Sequence, residues 1–245
     1  MFRKVVQPFY TAYVVLLFLL CLVVVFPIVA VISIGNNTTA RSAINKVIKC
    51  WARMWLWAIG MPLRKVGSQP AGRYIVVANH ISYMDTVVIF PAITGYFRVL
   101  GKKEISKVPL VGFIYKQIVI LVDRSNQVSR AISMRLMWRV LRKEGHIILF
   151  PEGTFNETGA PLKSFYDGAF RLAVRTGASI LPIVFPDTVA LWHYSAWWKL
   201  WPGRNRVIYL DPIPAAGLTP EDMPVLKDRV YKVMEEALTK IKNER

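Results

Sequence analysis

The sequence predicts an α/β protein: a single domain on a mostly parallel or mixed sheet flanked by helices, preceded by an N-terminal membrane helix or two-helix hairpin. Three observations predict it. From residue 74 onward, short apolar runs alternate with segments of helical period, the pattern of strands joined by crossover helices. Ahead of them, residues 10–34 carry no charge at all. The 245 residues suffice for one large α/β domain and one small additional element.

Pro27 is the only strong helix breaker in residues 10–34. As a helix this run rises about 37 Å, more than the ~30 Å hydrocarbon core of a bilayer. The apolar region of a signal peptide spans only ~7–15 residues, so an uncleaved anchor is a better reading than a cleaved leader. Arg3 and Lys4 precede the run. Arg41, Lys46, Lys49, Arg53, Arg64 and Lys65 follow it, interleaved with Trp51, Trp55 and Trp57. That distribution places the bulk of the chain on the cytoplasmic side. Residues 46–61 read as an amphipathic, tryptophan-bearing helix lying in the membrane interface. The first helix either crosses the bilayer or forms, with the second, a hairpin in one leaflet. Residues 1–66 are assigned to this anchor and 67–245 to the folded domain.

Gly67, Ser68, Pro70 and Gly72 punctuate the boundary. Beyond it the apolar runs 74–78, 97–100, 118–122, 147–150, 180–185 and 207–210 read as strands. Segments 83–90, 127–143, 168–176 and 221–243 read as helices. Gly145 follows the second of these as a C-terminal cap. Thr219, Pro220 and Asp222 supply an N-cap, a first-turn proline and a reciprocal carboxylate for the last. There is no internal repeat and no low-complexity tract.

Hydrophobic residues make up 54% of the chain, and mean hydropathy is +0.36, with the excess at the N-terminus. Thirty-two basic against 15 acidic residues give a formal charge of +17. Such a surface favours anionic partners: nucleic acid, acidic headgroups or an acidic carrier protein. Nothing resembles a nucleic-acid-binding module, and the apolar anchor argues against that partner. Cys21 and Cys50 are the only cysteines, so neither a disulfide framework nor a zinc site is expected, and a reducing compartment fits. No metal-ligand spacing or Walker-type phosphate loop occurs. The Asn-X-Thr runs at Asn36 and Asn156 read as chance matches for a cytoplasmic domain.

Two short signatures carry chemistry. In Asn79-His80-Ile81-Ser82-Tyr83-Met84-Asp85 an imidazole and a carboxylate stand five positions apart, just past a strand. On one continuous helix they would diverge by about 140°. With Ser82 as N-cap, His80 stays in the loop and folds back over the first turn, and Asp85 falls at the third helical position. A base whose tautomer a carboxylate fixes can take a proton from a substrate hydroxyl. The bland alternative is a simple capping box with a polar loop histidine. The second signature, Phe150-Pro151-Glu152-Gly153-Thr154, also follows a strand. Sites in open α/β sheets gather at the strands' C-terminal edge, so the two can meet. His146, at a helix-to-strand junction, reads as structural. Trp192, Trp197, Trp198 and Trp201 surround His193 as either a second interfacial patch or a core cluster.

These blocks resemble the glycerolipid acyltransferase family, in particular its bacterial 1-acyl-sn-glycerol-3-phosphate acyltransferases. The family's histidine and aspartate separated by four residues match His80 and Asp85. Its second block matches Gly101-Lys102-Lys103-Glu104-Ile105 with Pro109 and Gly112, its third Phe150 to Thr154, and its fourth Ile180-Leu181-Pro182-Ile183-Val184. The four occur in order over roughly residues 50–215. The resemblance implies that His80 deprotonates the free hydroxyl of a lysophospholipid acceptor. That oxygen attacks an acyl thioester, acyl-CoA or acyl carrier protein, while Asp85 orients the imidazole. It implies that Glu152, Gly153 and Thr154 position the acceptor's polar head, and that Lys102, Lys103 and Arg124 hold its phosphate. It implies no cofactor beyond the thioester co-substrate, anionic lipid as partner, and a place at the cytoplasmic (inner) membrane with the catalytic domain facing the cytoplasm.

Two departures matter. Many members of the family it resembles carry arginine after the Glu-Gly-Thr run, where this chain has Phe155. They also often carry a lysine where this chain reads Phe165-Tyr166-Asp167-Gly168, with Lys163 as candidate substitute. Losing a bidentate guanidinium weakens phosphate-monoester recognition, so another lysophospholipid or a lyso amino-acid lipid stays open as acceptor. A transacylase and a non-catalytic basic membrane-binding protein are the rival readings.

Overall fold

The computed structural model describes residues 2–244. The chain begins with a helical hairpin, α1 (Phe2–Ser33) and α2 (Thr38–Ala58). Strand β1 (Arg64–Val66) and strand β2 (Ile75–Ala78) follow, then α3 (Asp85–Ala92) and β3 (Phe97–Lys102). A 3₁₀ turn (Lys103–Lys107) leads to α4 (Val111–Ile118), β4 (Val119–Val122), α5 (Gln127–Lys143) and β5 (His146–Leu149). The chain continues through α6 (Gly168–Thr176), β6 (Ile180–Val184), α7 (Thr188–Leu191), β7 (Arg206–Tyr209) and α8 (Met223–Asn243). The seven strands form one mixed sheet in the order β1-β7-β6-β2-β5-β3-β4. β6, β2, β5, β3 and β4 run parallel, and β7 joins β6 antiparallel.

All six strands expected from sequence are present, shifted by at most a few residues. β1 was not expected. Its residues, Arg64–Val66, are exposed throughout and carry no apolar run, yet they pair with Arg206–Ile208 of β7. The segment assigned by sequence to the anchor therefore contributes the sheet's edge strand. The short helices α4 and α7 were also unannounced.

β2 and β5 are buried on both sides, as parallel strands covered by helices must be. Alternate side chains point to opposite faces. Val76, Ala78 and Ile148 pack with α1, α2, α3 and α4, while Ile75, Val77, Ile147 and Leu149 pack with α5, α6 and α8. The chain leaving β2 thus enters α3 on one face, and the chain leaving the adjacent β5 enters α6 on the other. Such a reversal opens a crevice at the strands' C-terminal ends.

The hairpin is docked along its length. At one end of α1, Thr11 Oγ1 donates to the Trp198 carbonyl at 2.8 Å and Tyr10 to the Ile59 carbonyl at 2.5 Å. Toward the other end, Phe26 meets Phe113 of α4 edge-on at 5.5 Å. Its outward side remains apolar: Val5, Phe9, Leu16, Leu20, Val24 and Val31 are all exposed, at the three- and four-residue spacing of one helix face. Among the described residues α1 is the one helix long and apolar enough to cross a membrane.

α2 starts earlier than expected, with Asn37 accepting from the Ala40 N–H at 2.8 Å. Trp51 and Trp55 turn inward to Phe18, and Trp57 is exposed. Gly145 is not a left-handed cap. A Cβ there would collide with the Tyr96 carbonyl, so a close approach, not a positive φ, requires the glycine. The reciprocal Thr219–Asp222 cap before α8 is present, on a 3₁₀ turn that precedes the helix.

Candidate active site

His80 leaves β2 in the loop before α3. Its Nδ1 lies 3.0 Å from Asp85 Oδ2. That same oxygen accepts the backbone N–H groups of Ile81 at 2.7 Å and Ser82 at 2.9 Å. A carboxylate oxygen so placed can only accept, so Nδ1 carries the imidazole proton and Nε2 keeps its lone pair. Asp85 is wholly buried while the imidazole is 15% exposed. The other carboxylate oxygen, Oδ1, has no hydrogen-bond partner among the described residues. Its charge is therefore not fully spent on backbone donors and can offset an imidazolium.

The local turn differs from the capping box that the sequence implied. Asp85 opens α3 rather than standing at its third position. The Ser82 hydroxyl accepts from the Met84 N–H at 3.0 Å and donates to the Trp192 carbonyl at 2.5 Å. Only the carboxylate half of the box survives, because the serine is drawn to the 188–201 segment. His80 folds back as expected.

Glu152 follows β5, the strand beside β2. Its Oε1 accepts the His80 N–H at 2.7 Å and its Oε2 the Lys163 N–H at 2.8 Å. The side chain is wholly buried. Its two oxygens hold two loops of the protein together. The Asn156 N–H closes the arrangement on the His80 carbonyl at 2.8 Å. The ring of Phe150 stacks on the imidazole at 4.4 Å, and Phe155 stands edge-on to it at 4.5 Å.

The Acyltransferase family model matches residues 63–186, half of the chain, with His80, Asp85 and Glu152 inside it. This chain belongs to the acyltransferase family. It is 33% identical over 168 residues to the 1-acyl-sn-glycerol-3-phosphate acyltransferase alpha of Ovis aries, covering 67% of this chain and 58% of that one. It is 29% identical over 146 residues to the 1-acyl-sn-glycerol-3-phosphate acyltransferase of Borreliella burgdorferi, covering 58% of each. The chain thus spans less than two thirds of the length of these curated relatives. The crystal structure of the 1-acyl-sn-glycerophosphate (LPA) acyltransferase PlsC from Thermotoga maritima superposes with a TM-score of 0.79 at 25% identity, covering 98% of both chains.

The five other residues expected to bind the acceptor, Lys102, Lys103, Arg124, Gly153 and Thr154, are not equivalent. Arg124, past β4, donates to the Gly153 carbonyl and so reaches the Glu152 loop. Gly153 has φ +77, and a Cβ on it would lie 2.6 Å from the Tyr166 ring and 2.8 Å from Arg124 Nη1. The positive φ favours glycine; the two neighbouring side-chain ends could move aside. Thr154 is exposed and its Oγ1 accepts from Lys163 Nζ at 3.1 Å, which brings the substitute cation to the loop. Lys102 ends β3, one strand short of the sheet edge, and Lys103 follows it; both are exposed.

Several residues of the site were missed. Asn79 is wholly buried and bridges β2 to β6, donating to the Phe185 carbonyl at 3.1 Å and accepting from its N–H at 2.7 Å. A polar residue closing an apolar run was the available signal. Asn156 is buried, with its Oδ1 accepting from Thr158 Oγ1 at 2.6 Å. His146 is structural as expected: its Nδ1 faces the Tyr74 N–H at 3.2 Å, and burial pushes it down to about 4. Trp197 and Trp198 are exposed, so they do not form a core cluster.

Burial pushes Glu152 up to about 7, helped by the Asp85 charge and opposed by the two backbone donors. A carboxyl whose folded pKa is raised binds its proton more tightly in the folded state. Its contribution is complete below the ordinary value of 4.5 and is lost as pH rises toward about 7. Unfolding free energy measured against pH should therefore fall by about 3 kcal/mol over that window, relative to Glu152→Gln. Parallel curves would refute the assignment.

Proposed function

We propose that the protein transfers a fatty acyl group from an acyl thioester, acyl-CoA or acyl carrier protein, to the free hydroxyl of lysophosphatidic acid, yielding phosphatidic acid. The observation that carries this is the tautomer-fixed His80, its Nε2 lone pair free, held at the crevice by Asp85 and Glu152. Nε2 takes the hydroxyl proton as the oxygen attacks the thioester carbonyl. The C–S bond then breaks, and the imidazolium returns that proton to the departing sulfur. Asp85 stabilises the cation formed between the two steps. The relatives' names support this acceptor. A purely binding role would leave the oriented imidazole without use. Purified protein given each thioester against a panel of lysolipids tests the reading. Turnover of a lysolipid only with a phospholipid as acyl source would make it a transacylase instead.

A second acceptor class is favoured by Phe155, which places a ring rather than a guanidinium against His80. If lysophosphatidic acid is the acceptor, Arg124 supplies the phosphate contact. Arg124→Ala should then raise its KM by roughly tenfold, the lower part of the ~1.5–3 kcal/mol for a charge-assisted bond, because the site is exposed. An uncharged or zwitterionic lysolipid should suffer less. Equal loss on all acceptors would give Arg124 a structural role, and a wild-type preference for a lyso amino-acid lipid would replace the acceptor while leaving the chemistry.

The membrane reading follows from α1. A 32-residue helix is about 48 Å long, and this one is bound at both ends to a single face of the domain. It lies along the bilayer, in one leaflet, with its exposed apolar stripe in lipid. The cations of α1 and α2 favour anionic lipid on the cytoplasmic side of the inner membrane, with the catalytic crevice open to the cytoplasm.

A further inference from the structure

A cavity of about 280 Å³ lies between α2, the turn after it and the far end of α3, with Arg53, Leu56, Trp57, Leu63, Lys65 and Pro91 among its lining residues. It is smaller than pockets for drug-sized ligands and matches a headgroup. It is separate from the crevice: Asp85 begins α3 and Pro91 nearly ends it, about 10 Å on.

Its charges are unbalanced. Lys49 stands one turn before Arg53 on α2. Burial first, then the Lys65 and Arg53 charges, together lower Lys49 to about 8. Lys65 is lowered by burial and then by Arg53. Of the three, Arg53 and Lys65 line the cavity, while Lys49 reaches past it to donate to the Gly95 carbonyl over the Phe97 ring. None takes part in an ion pair among the described residues. The chain itself supplies no counter-ion nearby in sequence: nine Lys and Arg precede Asp85, its first acidic residue. Like charges gathered beside an apolar floor are costly unless an anion joins them. The rim points to where that anion comes from. Trp57 is 75% exposed and Met54 65%, and Tyr13 of α1 donates to the Ala58 carbonyl next to Trp57 at 3.0 Å. Exposed tryptophan and tyrosine beside an apolar stripe mark headgroup depth.

We propose that this cavity binds the phosphate of an anionic phospholipid, apart from the acyl-transfer site, and thereby fixes the height and tilt of the domain on the bilayer. Arg53 and Lys65 hold the phosphate oxygens through charge-assisted hydrogen bonds, and the glycerol lies against Trp57 and Leu63. The proposal rests on the membrane-facing reading of α1 and α2.

Binding to vesicles of phosphatidylcholine, with and without phosphatidylglycerol, separates the two ideas. Binding to the neutral vesicles reports the apolar face, and the increment from phosphatidylglycerol reports the cavity. The double variant Arg53→Ala with Lys65→Ala should keep the neutral binding and lose about thirtyfold of the increment, the scale of two surface cations. The charge-matched pair Arg139→Ala with Lys143→Ala, on α5 across the sheet, should lose under about threefold, as distant charges are screened. The exchange Arg53→Lys with Lys65→Arg should retain the increment, which shows that charge at the cavity, not a folding defect, is read. Equal losses in both alanine pairs would overturn the site in favour of diffuse charge. Thermal stabilisation by inorganic phosphate with no phosphatidylglycerol increment would overturn the lipid assignment and make the ligand a soluble phosphate. Absence of neutral binding in wild type would overturn the membrane reading itself.

Discussion

His80→Ala should fold and lose at least about a hundredfold in acyl-transfer rate, the lower bound of general-base catalysis. The imidazole contributes its lone pair at Nε2, and nothing adjacent replaces it: Phe150 and Phe155 flank the ring with carbon. Stability should change little, since Asp85 keeps its bonds to the Ile81 and Ser82 N–H groups. Rate under single-turnover conditions with saturating lysolipid is the measurement. Near wild-type turnover would end the proposed mechanism. Asp85→Asn should also be slow, because an amide can present its NH₂ to Nδ1 and reverse the tautomer. A fall in kcat with KM unmoved is the signature of that loss.

Glu152→Ala should be costly to both stability and rate. The carboxylate satisfies two backbone donors, at His80 and Lys163, in a place without solvent. Each orphaned N–H costs about 1–3 kcal/mol, so a loss of roughly 2–6 kcal/mol in unfolding free energy is expected. The His80 backbone loses one of its two lateral ties, and a displacement of about 1 Å at a catalytic group can cost about a hundredfold. Denaturant titration and kcat measured on the folded fraction separate the two effects. Full activity per folded molecule would show that Asn156 and Asp85 alone position the base.

The strands were legible because each is an apolar run bounded by glycine, proline or a polar residue, and in β2, β5 and β6 burial on both faces makes that run continuous. β1 was not, because an exposed Arg-Lys-Val triplet has no apolar signal and its pairing with β7 is set by distant residues. α4 was hidden between two blocks of similar hydrophobicity. At the site, the His80–Asp85 geometry was legible as a loop folding over a helix start. The linkage of Glu152 to the His80 backbone was not, since it depends on which strands become neighbours. Ser82 was misassigned for the same reason: its hydroxyl is satisfied by Trp192, far along the chain.

The bonds that seat α1 have a consequence for biosynthesis. Thr11 and Trp198 are 187 residues apart, and Gln7, which donates to the Leu200 carbonyl, is 193 residues from its partner. At ~5–20 residues per second, the ribosome needs roughly 10–40 s to supply that partner after the helix has emerged. Throughout that interval α1 has α2 beside it but no loop to receive its leading half. Its outward stripe must be covered from the start, and lipid can do so at once. On the membrane-facing reading proposed above, the order of synthesis favours insertion of the nascent helix first and closure of the domain onto it afterwards, with the membrane acting as the template on which the last part of the fold is assembled.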